Sequence, residues 1–72
     1  MGRNKEIGVK YDIYRGTKKD MEGSSGTLSF EKCNKKQVRR FCAANGFDVN
    51  KFLDGDYMVG KNGCGFWLEE AM

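Results

Sequence analysis

The dipeptide Asn62-Gly63 constrains this chain more than any other feature. It lies inside YMVGKNGCGFWL, residues 57–68, between two runs of aromatic and aliphatic residues. Asn-Gly is the preferred centre of a two-residue type I′ turn, whose twist matches that of paired antiparallel strands. A β-hairpin is therefore expected here. A two-residue turn also sets the register. Lys61 then faces Cys64, Gly60 faces Gly65, Val59 faces Phe66, Met58 faces Trp67 and Tyr57 faces Leu68.

Facing residues of an antiparallel pair point to the same side of the sheet. One side of this hairpin then carries Tyr57, Val59, Cys64, Phe66 and Leu68, and is assigned to the core. The other carries Met58 beside Trp67, the bare Gly60–Gly65 pair, and Asp56 beside Glu69. Trp67 has two readings. Its ring can lie over the two glycines and cover weak strand positions. Alternatively it stands open with Met58, and Met58, Trp67, Gly60 and Gly65 form a surface for a protein partner.

A second strand is signalled by EIGVKYDIYR, residues 6–15. Ile7, Val9, Tyr11 and Ile13 fall on one face, and Lys10, Asp12 and Tyr14 on the other, which is the period of a half-buried strand. TLSFEK, residues 27–32, reads as its partner, with Leu28 and Phe30 turned inward. The segment between them, GTKKDMEGSSG (16–26), is polar with three glycines and reads as a long mobile loop.

NKKQVRRFCAANG, residues 34–46, is the helix. Asn34 is an N-cap, and Gln37 stands where it can bond back to the cap. Val38, Phe41 and Cys42 make the apolar stripe, and Gly46 supplies the left-handed residue that ends the helix, with Phe47 packing back on Cys42. DVNKFLDG (48–55) reads as a helical turn capped by Asp48, with Phe52 and Leu53 inward and Gly55 at its end. The expected fold is α+β: a small ββαββ domain whose four-stranded antiparallel sheet comes from two hairpins, with one helix and a helical turn packed on one face. Residues 1–72 form a single domain with 1–5 frayed. Strand order is not legible, although contact between the first and last strands is compatible with the pattern. The expected core is Ile7, Val9, Tyr11, Ile13, Leu28, Phe30, Val38, Phe41, Cys42, Phe47, Phe52, Leu53, Val59, Phe66 and Leu68.

Composition bounds the chemistry. The chain has 72 residues, no histidine, and three cysteines, Cys33, Cys42 and Cys64, with no close pair. That argues against a disulfide framework or a zinc site, and for reduced thiols in the cytoplasm. No apolar run follows Met1, and none approaches the roughly 18 residues of a membrane span. No cofactor or metal is implied. The missing histidine removes the commonest general base. Cys33, between Lys32 and Lys35 at a helix start, has a setting that lowers a thiol pKa, but no base or orienting group accompanies it. Glu69-Glu70 are adjacent and point apart on a strand, so they cannot act as a glycosidase pair. The glycines around Lys61 lack the order of a phosphate-binding loop. The chain is not expected to be an enzyme.

Charge is unevenly distributed. Residues 1–40 hold eleven Lys/Arg against five Asp/Glu, and residues 41–72 hold two against five. Lys35, Lys36, Arg39 and Arg40 lie on the exposed side of the helix, and Lys10, Arg15 and Lys32 are placed to extend that basic face, with Tyr14 available to stack a base. The segment around Gly63 matches the RNA-binding aromatic strand pattern only at two glycines and Phe66, and fails at the stacking positions. The leading expectation is a small non-catalytic cytoplasmic binding protein that docks on a larger protein. It would act as an inhibitor or adaptor, as a phage or mobile-element product that blocks a host defence enzyme does. A homodimer would use the same patch. The alternative is a nucleic-acid-binding module using the basic helix face and the N-terminal strand.

Overall fold

The computed structural model describes residues 9–71. Ile7 and the fraying expected at 1–5 lie outside the described residues. The elements run β1 (Lys10–Arg15), α1 (Lys18–Glu22), β2 (Thr27–Cys33), α2 (Lys35–Asn45), α3 (Val49–Leu53), β3 (Met58–Val59) and β4 (Gly65–Ala71). The strands form one antiparallel sheet in the order β2-β1-β4-β3. The first and last strands are thus the central pair, with Ile13 opposite Leu68 and Tyr14 opposite Trp67. This is the α+β architecture expected from the pattern.

Helices α2 and α3 cover one face of the sheet, called here the inner face. Its core joins Ile13, Cys33, Val38, Cys42, Phe52 and Leu68, with Tyr11, Phe41, Phe47, Leu53, Met58 and Phe66 packed around them. α2 forms where its caps dictate. The Asn34 side chain accepts from the Gln37 amide and Gln37 accepts from the Asn34 amide, both at 2.8 Å. Gly46 ends the helix with φ +75°, and the Phe47 amide reaches back to the Cys42 carbonyl at 2.8 Å. α3 starts where the Asp48 carboxylate accepts the amides of Asn50 and Lys51.

Three local features differ from expectation. The segment 16–26 holds the helix α1, closed by a reciprocal pair between Thr17 and Asp20. This is a capping box, with Asp in the place more often taken by Glu.

The second difference is in β2. Its pairing with β1 slips twice, between Tyr11 and Ile13 and again between Ile13 and Tyr14. Each slip inserts an extra residue into β2, a β-bulge. At the first, Lys32 takes φ +54°, and its amide donates to the Asp12 carboxylate at 3.0 Å. The carboxylate thus pairs an amide at the point where the ladder is broken. The bulges also break the alternation of Leu28 and Phe30. Phe30 stands opposite Ile13 on the inner face, whereas Leu28 stands opposite Tyr14. Both belong to an edge strand and are exposed, 52% and 44%, rather than buried as expected.

The third is the Asn62-Gly63 turn. A type I′ turn needs positive φ at both central residues. Here Gly63 has φ +83°, while the non-glycine residues with positive φ are Ser24 and Lys32, not Asn62. The Gly63 amide donates to Gly60 and the Gly60 amide to Cys64. The loop is therefore three residues, Lys61-Asn62-Gly63, closed by a glycine bulge. The register moves by one: Met58 faces Phe66 and Val59 faces Gly65. A slip of one residue exchanges the two faces of a strand. Met58 goes inward and Val59 is left 58% exposed.

Candidate functional site

The surface expected from Met58, Trp67, Gly60 and Gly65 is not assembled. With the register moved, Met58 packs against the inner core, while Trp67 is on the outer face, 2% exposed. Trp67 does act as a cover, but of different glycines. A methyl group at Gly26 would run into its six-membered ring, and one at Gly16 would stand 3.3 Å from it. The connection between β1 and β2 thus folds over the outer face and seals the indole. Tyr14 stacks on the indole at 5.8 Å between centroids, and Tyr57 flanks it at 6.3 Å. Gly65 is covered by Tyr57, whose hydroxyl donates to the Gly16 carbonyl at 2.8 Å. The Gly16 amide in turn donates to the Gly65 carbonyl at 2.9 Å. Gly60 pairs with Cys64 across the turn, not with Gly65.

The expected basic face is divided. Lys35, Lys36, Arg39 and Arg40 are all exposed on α2, and Arg15 and Lys32 are exposed as well. Lys10 and Tyr14 alternate with Ile13 and so belong to the outer face, with the sheet between them and α2. Tyr14 is also in acidic company. Burial, then the charges of Asp12, Glu69 and Glu31, push its phenol above the ordinary 10.0. A ring held against Trp67 on one side, among three carboxylates, is poorly placed to stack a base beside a phosphate.

The structure presents a different site, between β2 and α2. An open groove of about 300 Å³ is lined by Ile13, Phe30, Cys33, Gln37, Arg40 and Phe41. Its floor is the edge of the inner core, since Ile13 is 1% exposed and Cys33 8%. Phe30 forms one wall, edge-on to Phe41 at 5.8 Å. Phe41 is fixed by contact with Phe47, Phe52 and Phe66 at 5.0–5.9 Å. Arg40 and Gln37 form the rim. Lys36 lies one turn before Arg40, on the same stripe of the helix. The groove exists because the bulged β2 leaves Phe30 inward-facing but at an edge that α2 does not fully cover. The pattern of residues 27–32 signals the apolar residue but not the bulges, so Phe30 reads as core.

Cys33 is at the base of this groove. Burial, then the charge of Asp12, raises its thiol pKa. The lowering expected from Lys32 and Lys35 is overturned, because the side chain turns into the core and away from water. Cys42 is raised likewise by burial and Asp48. All three cysteines are free, and Cys64 alone is exposed. Among the described residues, no group of three His, Cys, Asp or Glu is placed to hold a metal ion, and no helix is long and apolar enough to cross a membrane. The chain matches no family model, no curated protein and no solved structure.

Proposed function

We propose that this chain is a small non-catalytic binding domain that acts by docking on a larger protein. The observation that carries the reading is Phe30, 52% exposed on the wall of an open apolar groove. An exposed aromatic beside a preformed recess is the composition of a binding hot spot, whereas single exposed apolar residues elsewhere are ordinary. The absence of histidine and the raised thiol pKa values of Cys33 and Cys42 support a role without catalysis. Three free thiols suit a reducing, cytoplasmic setting. The finer form of the proposal, an inhibitor of a host enzyme in the manner of small phage proteins, rests on size alone and is tested by the partner's identity.

Affinity purification of the tagged chain from nuclease-treated lysate, followed by size-exclusion chromatography and mass spectrometry, tests the reading. A stoichiometric complex with a larger protein is expected. Recovery of the free chain alone, or of nucleic acid alone from untreated lysate, would contradict it.

One observation favours the second reading, nucleic-acid binding. The exposed Lys35, Lys36, Arg39 and Arg40 stand on a helix that carries no carboxylate. That reading requires salt-dependent binding of single-stranded or duplex probes, weakened by Arg39→Ala and Arg40→Ala. Flat anisotropy at low salt removes it.

A further inference from the structure

The cations on α2 are a poor choice for the helix itself. Lys35 and Lys36 sit in its first turn, where the helix dipole disfavours positive charge. Lys35 with Arg39, and Lys36 with Arg40, are like-charge pairs four residues apart, which weaken a helix. No carboxylate on α2 offsets them. All four are exposed, so none is explained by packing. Residues that break local rules without an evident folding benefit are candidates for a role outside the fold.

These cations border an apolar recess. Arg40 lines the groove, Gln37 lies one turn before it, and Lys36 extends the cationic edge by one turn. The opposite wall is the ring of Phe30, and the floor is Ile13 and Cys33. At about 300 Å³ and open along one side, the groove is near the lower limit for enclosing a small molecule but roomy enough for one or two large side chains. The combination of an apolar slot with a one-sided cationic rim has a specific complement: an apolar side chain flanked by carboxylates.

We propose that the β2–α2 groove takes an acidic peptide segment of a protein partner, with a large apolar side chain seated against Phe30 and Phe41 and its carboxylates on Arg40 and Lys36. This rests on the protein-binding reading above and adds the chemistry of the partner. A protein segment fits better than a nucleic acid because the recess is lined mainly by apolar side chains, those of Ile13, Phe30, Cys33 and Phe41. The bulges and the positive φ of Lys32 make β2 a poor template for simple strand addition. Recognition is therefore by side chains in the slot, not by extension of the sheet.

Amide-resolved NMR titration and fluorescence anisotropy test this with three probes. They are a short Asp/Glu-rich peptide with a central Leu-Phe, the same peptide with Ser-Ser at its centre, and oligothymidylate of similar length. The Leu-Phe peptide is expected to shift the amides of Phe30, Cys33, Gln37, Arg40 and Phe41. The Ser-Ser peptide should bind at least about tenfold more weakly, and Phe30→Ser and Arg40→Gln should each cost the Leu-Phe peptide about tenfold, the size of a modest hot spot. Both variants change exposed side chains, and retention of the native amide spectrum elsewhere confirms their fold. Equal affinity for the two peptides would reduce the site to a bare charge patch and overturn the proposal. Tighter binding of oligothymidylate would assign the surface to nucleic acid. A dimer in sedimentation that Phe30→Ser dissociates would assign it to a second copy. If a larger partner co-purifies and its complex survives Phe30→Ser, protein binding stands and the groove assignment falls. If neither peptide nor protein binds, both fall.

Discussion

The two faces of this sheet bury their aromatic residues in different ways. All five phenylalanines are on the inner side, four of them ringed around Phe41, beneath two helices. The outer face uses aromatics with polar handles instead. Trp67 stacks on Tyr14 and is flanked by the tilted ring of Tyr57, its Nε1 donating to Glu69 at 3.3 Å and the Tyr57 hydroxyl donating to Gly16. Phenylalanine suits a face that helices close off from water, while Tyr and Trp suit one whose rim stays wet. The inner face is held by elements that start and stop on local signals. The outer face is held by contacts between distant residues, such as Tyr57 and Gly16, 41 positions apart. A small sheet protein can thus have a second core, covered by a connecting segment rather than by α2 and α3, and here that core occupies the surface that would otherwise be free for a partner.

The largest test of this comparison is Trp67→Ala. If the outer cluster is a true core, the substitution should cost about 3–5 kcal/mol, as large as Phe52→Ala on the inner side. Urea denaturation measures both. A loss below about 1 kcal/mol for Trp67→Ala would show that the outer face is a surface and not a core. For a domain of 72 residues the expected loss approaches total stability, so Trp67→Phe provides a milder companion with a smaller loss in the same direction.

A smaller effect separates tight packing from mere proximity. Gly26→Ala places a methyl group where the Trp67 ring lies, and is expected to cost about 1–3 kcal/mol by overpacking. Val59→Ala, at a position 58% exposed on the edge strand β3, should stay within about 0.5 kcal/mol. Equal effects at the two positions would break the account of the β1–β2 connection as a lid on the indole.

The smallest effect is electrostatic. The Tyr14 phenol has its pKa raised above 10.0 in the folded protein, by burial first and then by Asp12, Glu69 and Glu31. It ionises later folded than unfolded, so its contribution to stability is complete below the unfolded value and is lost as pH rises through the folded one. Wild type should therefore lose more stability than Tyr14→Phe as pH rises past the ordinary phenol value of about 10. Cys33 and Cys42 are raised in the same sense but are common to both chains, so the difference reports Tyr14. Parallel pH profiles would contradict the placement of Tyr14 among those carboxylates.

What was legible in the sequence follows the same division. α2 could be read almost to the residue because Asn34, Gln37 and Gly46 act within a single turn of chain. The alternation of β1 was legible because both of its neighbours are strands and its faces are distinct. The edges were not. Leu28, Phe30 and Val59 read as core from alternation alone, and all three are exposed. At the first bulge in β2 the Asp12 carboxylate meets the Lys32 amide, a contact 20 positions away that no local pattern signals. The turn after Gly60 shows how small the misleading step can be. Asn62-Gly63 does mark the hairpin, but only Gly63 is left-handed, so the loop is one residue longer and β3 turns over. That one residue removed Met58 from the side of Trp67 and with it the expected partner surface. α1 had a readable signal in Thr17 and Asp20, masked by three glycines and a polar composition. The candidate groove combines a residue legible as apolar, Phe30, with a position at an uncovered edge that only the tertiary structure reveals.

If the domain docks on a larger protein as proposed, the contact is the exposed aromatic on the β2–α2 side and not the sealed Trp67 face. The most direct measurement is the amount of protein partner retained on immobilised wild type, Phe30→Ser and Val59→Ser, each confirmed folded by its near-ultraviolet circular dichroism. The account predicts that Phe30→Ser loses most of the partner while Val59→Ser keeps it. Full retention by Phe30→Ser, with or without a loss in Val59→Ser, would contradict it.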